Sequence, residues 1–320
     1  MSVLYYVYMP QVKISKGHIF EIDCENGFVW VNAINVGSRE VLKLQERFAI
    51  REDDMEVCLP PIQRPQVRTR HGYNMCVLVF PVYDRATNII HRSEVDLFFG
   101  NDFVISTHAD VLESLKRFYV QCTKDLSHEV CFAQDSAEFT IKILQSLLTG
   151  IQPMLTHVSN DIDDIRSSLF ASKTEEVITD ILRIRTNVAT LRNTLHGHKR
   201  VIEGLMQLPM FDTPKLRYHM DNLRESSKEH WDIVDIHHST LESLHDSYSA
   251  FVTAKTNDTI KVLTLFAVIN FPLTLIAAIF AMDLQGMPFH ETNNGFWIVF
   301  GFMVAVAGVM LWFFRKKKYL

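Results

Sequence analysis

The sequence predicts an α+β membrane protein with an N-terminal cytoplasmic α/β domain, a long stalk helix and two C-terminal transmembrane helices. Three observations predict it. Short strand-like runs fill roughly the first third of the chain. A stretch from residue 215 to 282 contains no glycine and only one proline, Pro272. Two uncharged apolar runs close the chain and are followed by a basic tail. The boundaries read as 1–135 for the α/β domain, 136–214 for an antiparallel helical pair and 215–261 for the cytoplasmic stalk. Then come 262–282 for the first span, 283–294 for an external loop, 295–314 for the second span and 315–320 for the tail.

In the first part, VLYYVYM, GFVWVNAI, MCVLVFPVY, EVDLFFG and DFVISTH have the β-branched and aromatic content of strands, with EVLKLQERFAI as an intervening helix. Gly100-Asn101-Asp102 is a turn signal between two of them. The five cysteines all lie within the first 131 residues and include no C-x-x-C pair. That argues against a zinc ribbon and a disulfide framework, and predicts buried thiols in a reducing cytoplasm. The N-terminal MSVLYYVYMPQVKISKG lacks the basic-then-apolar build of a cleaved leader. A net charge of −5 does not favour nucleic acid as a partner.

From about Val111 the pattern turns helical. Residues 136–170 read as one helix and 174–208 as its antiparallel partner, with Pro209 and Pro214 marking a break. Beyond Pro214 the chain can run as one helix of about 100 Å, from cytoplasm into membrane. Trp231, Val234, Leu241, Leu244, Tyr248 and Phe251 recur at threes, fours and sevens, the pattern of a packed seam, and suggest several copies gathered around an axis. His238 and His245 fall beside that seam as ordinary interface residues. His237 and His238 point to different faces and cannot act as a pair.

Residues 262–282 and 295–314 carry no charge, and each is long enough for the roughly 30 Å of a bilayer core. The second run ends in Arg315, Lys316, Lys317 and Lys318, which hold that end in the cytoplasm, so both termini are cytoplasmic. Trp297 and Trp312 sit near its two ends as interfacial anchors. The loop between the spans carries Asp283, His290 and Glu291 and no Lys or Arg. Asn270, Thr274 and the terminal Asp283 are the first span's groups that need a wet interior, so this span should border the shared axis and the second should face lipid. There is no G-x-x-x-x-G-K-[ST] loop and no nucleophile elbow, so ATP-driven pumping and hydrolysis are not expected.

These residues also carry a resemblance. Asp246-x-Tyr248, Thr256-Asn257-Asp258-x-x-Lys261-Val-Leu-Thr264, Phe271-Pro-Leu-Thr-Leu-Ile-Ala-Ala-Ile-Phe-Ala-Met-Asp283 and Met287-Pro288 precede a second span ending Arg315-Lys-Lys-Lys-Tyr-Leu. Over 246–320 this closely resembles the CorA-type divalent-cation channels. Gln63-Arg64-Pro65, Asp161-Ile-Asp163-Asp164 and Leu191-Arg192 resemble the same family further back. The resemblance implies a homopentameric funnel in the inner membrane and passive influx of Mg2+, with Co2+ or Ni2+, down the membrane potential. It implies no cofactor beyond the transported or regulatory cation, and lipid and the chain's own copies as partners. Pore-lining positions would be Asn257, Ile260, Leu263, Phe271 and Thr274, with Phe271 a hydrophobic constriction. The entrance would be Ala281, Met282 and Asp283, and Glu291 would attract cations in the external loop. Asp161–Asp164 read as a solvated helix face near the cytoplasmic exit.

Three departures accompany the resemblance. The outer Gly-Met-Asn signature is Ala281-Met282-Asp283 here. Phe289 replaces the acid after Met-Pro. The regulatory carboxylate expected just after Glu56 falls on Val57 and its stalk-helix partner near Asp221 or Asn222, so feedback closure by cytoplasmic Mg2+ in the family's form is not expected, and Glu56 and Asp221 are the residues left for a regulatory site. A ring of carboxylates at the entrance would raise the members' own pKa values until a divalent cation relieved the repulsion. It would also accept transition metals more readily than an amide ring. Ala281 in place of glycine should keep the helix end regular. These changes keep open a zinc transporter of the ZntB kind, proton-coupled, and a non-conducting membrane-anchored regulatory protein.

Overall fold

The structure, a computed structural model, describes residues 12–14, 19–24, 26–124, 132–168, 174–282 and 295–317. In chain order it runs β1 (Val12–Ile14), β2 (Ile19–Asp23), β3 (Val29–Ile34), α1 (Ser38–Phe48), α2 (Glu52–Met55) with a 3-10 turn over Glu56–Cys58, and β4 (Gln66–Thr69). It continues with β5 (Asn74–Asp84), β6 (Ile89–Phe99), β7 (Phe103–His108) and α3 (Glu113–Lys124). Then follow α4 (Ser136–Thr149), α5 (Gln152–Ser168), α6 (Thr174–Leu195), α7 (His198–Leu205), α8 (Pro214–Phe280) and α9 (Gly295–Lys316). The chain divides into two compact units, 1–244 and 245–320.

In the first unit seven strands form one sheet in the order β1-β2-β3-β7-β6-β5-β4. Every pairing is antiparallel except β3 with β7, which is parallel and sets Val31 opposite Ile105. The β5–β6 hairpin is turned by Asp84, whose carboxylate accepts from the Ala86 amide at 2.9 Å and the Thr87 hydroxyl at 2.8 Å, with Asn88 at φ 56°. One sheet face is covered by α1 and the Glu56–Cys58 turn: Val31, Ala33, Met75, Val77, Phe98 and Ile105 pack under Val41, Leu44 and Val57. On the other face Trp30 meets Phe118 of α3 and Phe139 of α4 edge-on, at 5.6 and 5.1 Å. Burying side chains of this size contributes roughly 1.5–3 kcal/mol each.

Two polar tethers hold the helices to the sheet. Asn187 of α6 accepts from the Ile90 amide and donates to the Asn88 carbonyl, both at 2.9 Å. His198 of α7 hydrogen-bonds the Val79 carbonyl at 2.6 Å. Burial pushes the His198 ring down to about 4, so it sits neutral and donates one proton. Elsewhere in the unit Asp54 is fully buried. Burial acts to raise its pKa, but hydrogen bonds from Arg70 (2.7 Å), Arg68 (2.8 Å) and Tyr73 (2.8 Å) outweigh it and hold the carboxylate at about 2.

Several expectations change. The single helix over 136–170 is broken after Thr149, because Pro153 cannot donate back to that carbonyl and starts α5 instead. Gly150 is required at the break: a Cβ there would lie 2.7 Å from Ser114 Cβ of α3. The partner helix over 174–208 likewise divides into α6 and α7, so the helical pair is four helices. Short strands β1, β2 and β4 add to those read from the sequence, while the VLYYVYM run lies outside the described residues. Cys76 is a buried thiol as expected, and Cys24, half-buried, is pushed up to about 12 by burial. Cys122 is held in a disulfide, which corrects the reading of all five cysteines as free thiols.

The helix beyond Pro214 is continuous. α8 is 67 residues long and carries Pro272 inside it. Its buried positions are Leu216, Met220, Leu223, Ser227, His230, Val234, Leu241 and Leu244, spaced by threes, fours and one seven. Arg192 of α6 lies over Trp231 and pairs with Asp235 at 3.3 Å. The seam down to Leu244 is therefore covered by the chain's own helices and needs no second copy to explain it. Tyr248 and Phe251 continue the spacing, but Phe251 is 49% exposed.

Candidate functional site

The second unit contains two helices long and apolar enough to cross a membrane, the C-terminal part of α8 and all of α9. Both have a mean hydropathy of 2.3 over an 18-residue stretch that is unburied in the chain. Exposed large side chains follow one another along both: Phe266 at 66% and Phe271 at 75% on α8, Phe296 at 73% and Trp297 at 68% on α9. In water such a surface would cost tens of kcal/mol at about 25 cal/mol per Å2; in a bilayer it is at home. Lys316 lies over Trp312 at 5.1 Å, at the basic end of α9.

The two helices differ around their circumferences. At about 100° per residue, Asn257, Ile260, Leu263, Phe271 and Thr274 fall within roughly one third of the α8 circumference. Thr253, Thr256, Thr264, Ala267, Ala278 and Ala281 fall in the same third. Val262, Leu265, Phe266, Ile269, Leu273, Ile276 and Phe280 occupy the other side. That third of α8 holds the four threonines, Asn257 and three alanines among Ile260, Leu263, Phe271 and Leu275, whereas through the span the opposite side is uniformly large and apolar. The described part of α9 carries no hydroxyl or amide side chain before Arg315.

The threonines have a definite hydrogen-bond polarity. The Thr253, Thr256, Thr264 and Thr274 hydroxyls donate to the carbonyls four residues back, those of Ser249, Val252, Ile260 and Asn270, at 2.8, 2.9, 2.7 and 2.8 Å. Each hydroxyl proton is thereby used inside the helix, and what faces outward is oxygen lone pairs. The stripe is a ladder of acceptors, suited to water molecules around a cation or to the cation itself. Pro272 adds to it, since without an N–H it leaves the Val268 carbonyl unclaimed by the helix. The sequence reading placed Thr264 in the span but did not join Thr253, Thr256 and Thr264 to the lining positions. The threes-and-fours spacing that found the others would have found them too.

α8 ends at Phe280. The Ala281 amide still bonds the Ala277 carbonyl at 3.0 Å, and the Met282 amide tightens onto Ile279 at 3.2 Å. Alanine at 281 thus continues the helical bonding to the last turn. Ala281 and Met282 are exposed, Met282 by 53%. Asp283 and Glu291 lie outside the described residues.

The proposed regulatory residues are not brought together by any contact among the described residues. Glu56 is exposed on its 3-10 turn, and the next residue, Val57, is 7% exposed in the hydrophobic core. Asp221 is half-exposed and pairs with Arg224 of its own helix at 2.8 Å. In the acidic run, Asp161 bridges to Arg183 of α6 at 3.4 Å and Asp163 to Arg166 at 3.1 Å, while Ile162 and Ile165 are buried. Asp163 and Asp164 lie on the exposed side of this packed helix, while Asp161 is turned towards α6.

Residues 25–316 match the family described as CorA-like Mg2+ transporter protein. The cobalt/magnesium transport protein CorA of Thermotoga maritima is 24% identical over 298 residues, covering 91% of this chain and 83% of that protein. The complete structure of the CorA magnesium transporter from Methanocaldococcus jannaschii superposes with a TM-score of 0.82 at 19% identity, over 94% of this chain and 96% of that one. The zinc transport protein ZntB of Pectobacterium carotovorum is 22% identical over 189 residues, covering 58% of this chain and 57% of that protein. With the family match spanning nearly the whole sequence and the fold shared along it, the chain belongs to the CorA-like family of divalent-cation transporters.

Proposed function

We propose that this chain assembles with four copies of itself into a passive divalent-cation channel of the cell (inner) membrane, both termini cytoplasmic, that admits Mg2+ and also Co2+ or Ni2+. The acceptor stripe on α8 carries the reading. A span meant only for lipid has no use for the hydroxyls of Thr264 and Thr274 on one face beside Ala267, Ala278 and Ala281, whereas a water-filled axis does, and Thr253, Thr256 and Asn257 continue that face into the cytoplasmic stalk. Around a five-fold axis those hydroxyl oxygens would form successive rings. Mg2+ sheds its water reluctantly, so such rings bind it through the hydration shell and release it again.

Phe271 interrupts the ladder with a ring that would narrow the path and gate it by dewetting. Ala281 and Met282 lead to Asp283 at the outer mouth, with Glu291 nearby to raise the local cation concentration. Glu56 and Asp221 remain the proposed regulatory residues, and with Val57 in place of the family's carboxylate any closure by cytoplasmic Mg2+ would not take the family's form. The driving force is the membrane potential: each unit charge gains about 2.3 kcal/mol per 100 mV, and a divalent ion twice that.

Flux into proteoliposomes tests this. Wild-type chain should admit Mg2+ without a pH gradient, and Asp283→Ala should lower influx while pentamers still form. Normal influx through assembled Asp283→Ala would sink the entrance assignment. The ZntB relative and the Ala-Met-Asp entrance favour one alternative, a proton-coupled zinc transporter, and Zn2+ flux that tracks an imposed pH gradient would put it in first place. No flux of any divalent ion would leave a non-conducting membrane-anchored assembly or regulatory protein.

A further inference from the structure

The first unit contains a cavity of about 1320 Å3 bounded by β5, β6, β7, the Glu56–Cys58 turn and the loop after it. Two carboxylates of β6, Glu94 and Asp96, line it. They stand two residues apart, so strand alternation puts both on one sheet face. Asp96 is 4% exposed. Its Oδ2 accepts from the Thr107 hydroxyl at 2.7 Å, and its buried Oδ1 has no hydrogen-bond donor among the described residues. Glu94 accepts from the Gln63 amide at 2.6 Å through Oε2, while its buried Oε1 is equally without a donor. No Lys or Arg pairs with either carboxylate among the described residues.

A carboxylate oxygen buried without a donor is costly, and two side by side on one strand face are worse. Burial, and the neighbouring Glu94, push Asp96 well above the usual carboxylate range; Glu94 is raised mainly by burial. Either one proton is shared across the gap or a cation fills it. The donor set decides which cation would fit. Beside Asp96 stands Cys58, whose thiol burial keeps protonated and so unavailable as a soft ligand. His108 has both ring nitrogens engaged, with the Ala109 carbonyl at 2.7 Å and the Asn32 side chain at 3.0 Å. Arg85, Arg92, Arg117 and His91 also line the cavity, but no ion pair joins them to Glu94 or Asp96 among the described residues, so the groups left to a cation beside Asp96 are two carboxylates and retained water. That is a donor set for a hard divalent ion bound through one or two carboxylates.

We propose that Glu94 and Asp96, side by side on β6 and lining its cavity, bind one hard divalent cation such as Mg2+ or Mn2+ in the first unit. The Gln63 amide that holds Glu94 belongs to the loop covering the cavity, so a bound ion would tie that loop to β6.

The test counts Mn2+ bound to the detergent-solubilised full chain by the electron-spin resonance of the free ion, in an Asp283→Ala background that removes the outer mouth. Asp96→Asn and Glu94→Gln should each bind about one Mn2+ fewer per chain. Asp96→Asn keeps the shape and removes a buried charge, so it should melt no lower than its parent. Should it fail to fold, Glu94→Gln, at a half-buried position, supplies the count alone. Replacing Glu56 and Asp221 by alanine together should leave this ion in place, which separates the site from that pair. In the infrared, the parent chain should show a protonated carboxyl band that Mn2+ removes. An unchanged Mn2+ count in both carboxylate variants, or a protonated band that survives saturating Mn2+, would overturn the proposal. Neither outcome depends on ion flux, so the channel reading stands or falls separately.

Discussion

The same helix lives under two sets of rules. Between Pro214 and Leu244, α8 buries eight side chains at heptad-like spacing against its own chain; from His245 to Phe280 it buries none. The first stretch is written for water. Its apolar stripe is narrow, its other faces carry Arg217, Asp221, Arg224 and Asp235, and ion pairs run along them. The second stretch inverts the pattern over 262–280, where large apolar residues cover most of the circumference and the two hydroxyls, of Thr264 and Thr274, fall in one third of it. Exposure in the isolated chain thus means different things in the two units. In the first it marks contact with water, and in the second it marks surface waiting for lipid or for another copy.

That difference can be broken from the first side by removing Asp54. Its carboxylate satisfies two guanidinium groups and a phenol in the interior of the α/β unit. Asp54→Ala leaves those donors unpaired and should cost the first unit roughly 3–5 kcal/mol, seen as a lowered Tm of its transition. The α8–α9 region has no buried charge to lose, so its helicity in detergent should persist through that transition.

Two positions of equal exposure sharpen the comparison. Leu182 on α6 and Val304 on α9 are both 56% exposed. Val304→Arg places a charge near the middle of a span, which costs about 2.5–3.5 kcal/mol on insertion scales. The expected result is a marked fall in membrane-inserted protein. Leu182→Arg puts the same charge into water and should change stability by less than about 0.5 kcal/mol. Equal losses for the two would mean that α9 does not face lipid.

How far the sequence revealed these rules follows from the range of the forces involved. The spans were legible because lipid tolerates almost no charge, so 262–282 and 295–314 announce themselves residue by residue. The continuity of α8 was legible from the absence of glycine and proline. The five residues the resemblance names as lining do share one face of α8, and three threonines of the same face went unjoined. The coverage of the seam was not, because Val234, Leu241 and Leu244 look the same whether their partner is α6 of the same chain or a second copy. The parallel β3–β7 pairing joins residues about seventy positions apart and leaves no local trace. Glu94 and Asp96 did leave one. An acid among the core residues of EVDLFF is rarely buried without a reason, and that signal was available in the sequence.

Acid separates the two units again. His198 is neutral in the fold, its pKa at about 4 against an unfolded value near 6.5. Between those values the unfolded chain binds the extra proton, so stability falls as pH drops from about 6.5 to 4 and is recovered as it rises. The loss should reach about 3 kcal/mol in the first unit. His198→Gln, which can still donate to the Val79 carbonyl, should be less stable at pH 7 but should flatten that part of the pH profile. A wild-type profile flat down to pH 4 would remove the buried, neutral histidine from the account.

The smallest effect expected on stability is the most informative about the stripe. Thr274→Val keeps the size and β-branching of the side chain and removes one oxygen. The lost hydroxyl bond to the Asn270 carbonyl is local, so stability should move by less than about 0.5 kcal/mol. Cation influx should nevertheless fall several-fold if the outward lone pairs receive the ion's water shell, because one acceptor ring of the ladder disappears. Ile276→Thr, on the apolar side of the same helix, is the mirror experiment. It adds an oxygen where lipid or α9 is expected and should leave influx nearly unchanged. If Thr274→Val conducts like wild type while Ile276→Thr does not, the wet face of α8 is the wrong one, and the two sides of the helix exchange roles.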